Sequence, residues 1–115
     1  MENHSENIVR TADVLGKEVK SPNLEDLGTI EEIVLDKISG QARYVVLSFG
    51  GFMGFGDEYF AFPWKSISYN EAEECFILNI DKDKLNKDQG FDKNHWPDMS
   101  QWGNAGNLGG RGSYM

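Results

Sequence analysis

Apolar residues along the chain fall into short runs with a period of two, separated by glycine, proline and acidic turn clusters. That spacing predicts strands, because successive side chains on a strand point to opposite faces. Residues 15–20 form the first short candidate, and Ser21, Pro22 and Asn23 then supply a turn. In the following segment, 27–36, Ile33 and Leu35 alternate, but Ile30 is out of phase with them by one residue. An extra residue at Glu31-Glu32, a β-bulge, puts all three on one face. A helix would also join Ile30, Ile33 and Val34, but the β-branched content and the flanking Gly28 and Gly40 favour a strand.

Residues 36–40 are a turn cluster leading into 43–49, a run apolar on both alternate faces, as expected of a strand covered on both sides. The two strands predict a hairpin. Residues 50–57 join backbone freedom to the large side chains of Phe52, Met53 and Phe55. The segment 58–64 reads as another strand, with Pro63 near its end, where a missing N–H is tolerable. Residues 67–69 continue briefly, 70–74 form an acidic turn, and Phe76, Leu78 and Ile80 alternate in the last clear strand.

Asp81 can cap a short helix over 82–88, closed by Gly90. Residues 1–12 read as a loose polar lead, 13–99 as one domain, and 100–115 as a Gly/Asn-rich tail with little to bury. The expected fold is all-β: a small antiparallel barrel of five to six strands with one short C-terminal helix.

Charge narrows the function. Lys and Arg number 11 against 19 Asp and Glu, a net charge of −8 over 115 residues. A phosphate backbone or an anionic membrane surface is repelled by that balance, and no basic run exists to offset it. Cys75 is the only cysteine, so internal disulfides and Cys-based zinc sites are excluded, and a lone thiol suits the cytoplasm. Residues 1–7 lack the basic and apolar regions of a signal peptide, and no apolar stretch approaches the ~20 residues of a membrane span.

Residues 27–36 followed by Ser39-Gly40-Gln41 resemble the opening hairpin of the PRC-barrel family. Residues 44–52 and Phe60-Ala61-Phe62-Pro63-Trp64 resemble its central signature, and 90–99 the ending of its stand-alone bacterial members. The resemblance covers roughly residues 14–99 and implies the small β-barrel of the photosynthetic reaction centre H subunit and the ribosome maturation factor RimM. In both settings the barrel is an adaptor, and self-association is common in the family. The resemblance brings no catalytic residues or cofactor.

The candidate chemistry is thin. The glycines at 50–57 match no phosphate-binding spacing. The acidic pairs Glu25-Asp26, Glu31-Glu32 and Glu73-Glu74 fit solvated faces, and Asp81-Lys82-Asp83 lacks the later ligands of a calcium loop. Cys75 and His95 are the only Cys–His combination, with no reason in the sequence to meet. No catalytic, metal or cofactor site is therefore assigned.

Phe52, Met53, Phe55, Tyr59, Trp64 and Trp102 are the candidate residues for self-association or partner binding. Trp64 also reads as core, Trp96-Pro97 as a lid stapling the C-terminal segment to the barrel, and Trp102 as the best interface residue of the three tryptophans. The expected function is a non-enzymatic interaction module, forming a homodimer and binding a protein partner through the aromatic loop. A ribosome-assembly accessory role is the alternative, weakened by the absence of room for RimM's second domain. A small enzyme ranks last.

Overall fold

A computed structural model describes residues 7–49, 58–80, 89–99 and 102. A helical turn, α1 (Thr11–Val14), precedes β1 (Glu18–Lys20), β2 (Asp26–Leu35), β3 (Ala42–Ser48) and β4 (Glu58–Pro63). A 3-10 turn at Trp64–Ser66 then leads to β5 (Ile67–Asn70), β6 (Cys75–Leu78) and β7 (Phe91–Asp92). The strands form one sheet in the order β5-β6-β1-β2-β3-β4-β7. The fold is all-β, as expected, but the described residues form seven strands and the sheet is mixed.

The departure from an antiparallel barrel has a local origin. After β4 the chain makes a 3-10 turn instead of a hairpin, so β5 does not fold back on β4. It crosses to the far side of the sheet, pairs with β6, and brings β6 alongside β1 in parallel, Val19 opposite Phe76. Among the described residues β5 and β7 remain as edges, so the ladder is open. The helix expected at 82–88 and the tail from 103 onward lie outside the described residues. No helix among the described residues is long and apolar enough to cross a membrane.

The predicted bulge is present. Ile30 pairs with Leu47 and Glu32 with Val46, which leaves Glu31 as the extra residue. Ile30 is buried and Ile33 packs against the same core, so the bulge restores the phase between them. Leu35, at the end of β2, is not buried with them but is 53% exposed. At this hairpin end the register also slips by a residue, Val34 pairing with Tyr44 but Leu35 with Ala42.

Asp36 closes that hairpin. Its Oδ1 accepts from the backbone N–H groups of Ile38 and Ser39, and its Oδ2 from Arg43 at 3.1 Å. These donors, led by the backbone N–H of Ser39, hold the Asp36 carboxyl below the usual range. Gly40 takes the left-handed conformation, φ +80°, that lets the chain turn back.

Val19, Leu27, Ile30, Val45, Leu47, Phe49, Phe60, Phe62 and Leu78 are buried together on the inner face, with Ile67 of β5 packed against them. β5 and β4, far apart in the strand order, therefore meet one core, and the sheet curls around it. Burial of each large apolar side chain stabilises the fold by about 1.5–3 kcal/mol. A second cluster lies on the outer face, where Tyr44, Val46, Ala61 and Trp102 are buried with Val34, Tyr59 and Phe91 against them. β3 is thus covered on both sides, which is why its sequence is a nearly unbroken apolar run.

Candidate functional site

The six candidate residues do not form one surface. Phe52, Met53 and Phe55 lie outside the described residues. Tyr59 stands on the outer face of the sheet and Trp64 packs against the inner core, so the two are separated by the sheet itself. Trp102, expected at an interface, is only 2% exposed. It is taken up within the chain, its ring 5.2 Å from Tyr44 and 6.2 Å from Phe91, and has no surface to offer as placed. The sequence around it is polar, but the face it docks onto is supplied by β3 and β4.

Around Tyr59 the C-terminal segment forms an aromatic patch. β7 pairs with β4, placing Phe91 opposite Tyr59, and Gly90 lies so close to Phe60 that an added Cβ would stand 2.9 Å from its ring. The Tyr59 ring meets Phe91 and Trp96 edge-on, each at 6.0 Å, and Phe91 and Trp96 are 4.9 Å apart. Trp96 thus fastens the C-terminal segment, yet it is 37% exposed, and Met99 is 45% exposed. Residues 50–57 enter β4 at Glu58, one position before Tyr59.

Beside this patch the bulge aims Glu31 across the outer face. Its carboxylate accepts from the Ser48 hydroxyl at 2.6 Å and from the Tyr59 hydroxyl at a long 3.5 Å. Thr29 and Ser48 share a further hydrogen bond at 3.1 Å. The carboxylate is thereby engaged as an acceptor linking β2, β3 and β4.

A separate cleft of about 620 Å³ opens between the N-terminal turn and the β5–β6 hairpin. Ile8, Val9, Val14, Trp64, Tyr69 and Phe76 line its apolar part, and Asn7, Asp13, Lys17 and Glu71 its polar part. Sequence reading singled out only Trp64 here. Ile8-Val9 was an apolar pair inside a polar lead, and Tyr69 meets Phe76 only through the β5–β6 register. The acidic turn between those strands was the available signal for that pairing.

Cys75 is buried in β6 and His95 is exposed beyond β7, at the other end of the strand order, so they are not brought together. His95 lies instead 3.8 Å from Asp92. Among the described residues no group of three or more His, Cys, Asp or Glu side chains is arranged to hold a metal ion.

The family model of the PRC-barrel domain aligns with residues 6–85. It spans the chain from the N-terminal turn through β6, and it stops before the C-terminal segment that carries Phe91, Trp96 and Trp102. No curated protein matches the sequence.

Proposed function

The chain belongs to the PRC-barrel family, and on that premise we propose that it is a non-enzymatic assembly module that associates with itself and with a protein partner. The observation that carries this reading is the patch of Tyr59, Phe91 and Trp96, in which Trp96 remains open to solvent, with exposed Met99 three residues further along the chain. Large aromatic side chains held rigidly by their neighbours are the usual anchors of protein interfaces. The segment 50–57, which immediately precedes β4 in the sequence, carries the further apolar side chains Phe52, Met53 and Phe55.

The reading also fits the charge. An acidic chain of net charge −8 repels its own copies at long range, so apolar contact must supply the attraction and added salt should strengthen association. Light scattering over a wide concentration range tests this directly. A mass above the monomer that falls on dilution, and falls further in Trp96→Asp and in Phe52→Asp/Phe55→Asp, is the expected result. A monomer at every concentration and salt sinks self-association; an unchanged oligomer in both folded variants sinks the patch.

A further inference from the structure

We propose that the cleft between the N-terminal turn and the β5–β6 hairpin binds a small organic cation bearing an alkylated ammonium group. It shares no residue with the patch assigned to assembly. Its volume of about 620 Å³ suits a small molecule, since ligand pockets commonly enclose ~300–1,000 Å³.

The lining points to the class of ligand. Val14 is 2% exposed, and Trp64 and Phe76 are half-buried against the inner core, so part of the lining is fixed by the fold itself. The Tyr69 and Phe76 rings stand 5.0 Å apart at 62°, forming a corner rather than a flat stack. Together with Trp64 they bring three aromatic side chains to one concavity. Aromatic faces carry negative quadrupoles and attract cations, Trp most strongly.

Charge around the cleft agrees. Asp13 and Glu71 line it, and Glu73 and Glu74 follow Glu71 in the same turn. Against them stand Lys17 and Arg10, the latter committed to Asp13 through contacts of 3.0 and 3.1 Å. The excess is acidic, within a chain of net charge −8. A primary ammonium would have to trade its hydration for apolar walls at Ile8, Val9 and Val14. An alkylated ammonium is weakly hydrated and presents methyl groups, so it meets those walls at little cost.

The test is NMR titration of the full chain with choline and with its neutral isostere, 3,3-dimethyl-1-butanol, following the Trp64 indole N–H and the amides of Val14, Tyr69 and Phe76. Choline should shift these signals and bind on the order of tenfold more tightly than the isostere. Tyr69→Leu, at an exposed edge-strand position where the fold should persist, is expected to erase that preference. Lys17→Ala should tighten choline binding, and Glu71→Gln should weaken it. Equal affinity for the two probes, preference for the neutral one, or no shift from either in the folded chain overturns the proposal.

Discussion

The hydroxyl of Tyr44 donates to the backbone carbonyl oxygen of Trp102, tying β3 to a residue 58 positions further along the chain. This bond sits under the Trp102 ring, on the outer face that Val46 and Ala61 complete. Tyr44→Phe should cost about 1 kcal/mol in urea unfolding, and Trp102→Ala about 3 kcal/mol, because it empties a filled site. The buried Trp102 indole N–H has no partner among the described residues. Trp102→Phe, which removes that donor and keeps a ring, should therefore cost less than Trp102→Ala.

The same tyrosine sets an alkaline limit. Burial raises the Tyr44 pKa, with nearby Arg43 opposing the shift. A raised folded-state value means that the contribution is fully present below the unfolded value, near pH ~10, and is lost as pH climbs through the folded one. Stability measured across the alkaline range should fall more steeply in the native chain than in Tyr44→Phe. Parallel curves for the two would refute this.

Asp36 sets the acid counterpart at the β2–β3 turn. Its lowered pKa means the turn's contribution is present above the unfolded value, near pH ~4, and disappears as pH falls through the lower folded one. In Asp36→Asn the amides of Ile38 and Ser39 should exchange faster at neutral pH, and the acid-induced loss should shrink. Unchanged hydrogen-exchange protection would show that the carboxylate does not hold the turn.

Glycines 28 and 40 should respond differently to alanine. A Cβ at Gly28 would lie 2.1 Å from the Ser48 carbonyl oxygen, a backbone atom that cannot move without parting β2 from β3. Gly28→Ala should cost about 3 kcal/mol. At Gly40 nothing lies within 4 Å, and the penalty is only that of φ +80°, about 1–2 kcal/mol for an alanine. Equal losses by thermal or urea unfolding would contradict this ranking.

Glu31 tests whether the bulge itself is needed. Glu31→Ala leaves the Ser48 hydroxyl its bond to Thr29 and should cost about 1 kcal/mol. Deleting one of the two adjacent glutamates restores strict alternation from Ile30 to Ile33, so the chain should fold with Ile33 still opposite Val45. NMR contacts between those two strands would check the register, and loss of the Ile33–Val45 contact would show that the extra residue is indispensable.

Particular residues show what was legible. The misphased Ile30 revealed the bulge, because side-chain phase is written directly in the order of residues. The unbroken apolar run of β3 revealed a strand covered on both faces. Leu35 keeps the alternation with Ile33 but ends its strand, and a period of two does not tell where along a strand the core stops. The parallel pairing of Val19 with Phe76 was hidden for a related reason: a period of two tells which face a residue takes, not which strand lies beside it or in which direction. Trp102 was read from its polar neighbours, whereas its position is decided by Tyr44 and Phe91. The cleft was missed because its walls come from the N-terminal turn, the 3-10 turn and the hairpin, which only the crossover brings together.

That crossover also imposes an order on biosynthesis. Strands β1 to β4 are sequential neighbours and can zip as a meander while the chain is still emerging. The free side of β1 has to wait for β6, since Val19 finds Phe76 only after nearly the whole family domain has been made. Contacts this distant in sequence slow folding, and an unpaired strand invites pairing with another chain in the interval. On the nascent polypeptide, β1 is therefore the edge a chaperone would have to shield until β6 has emerged.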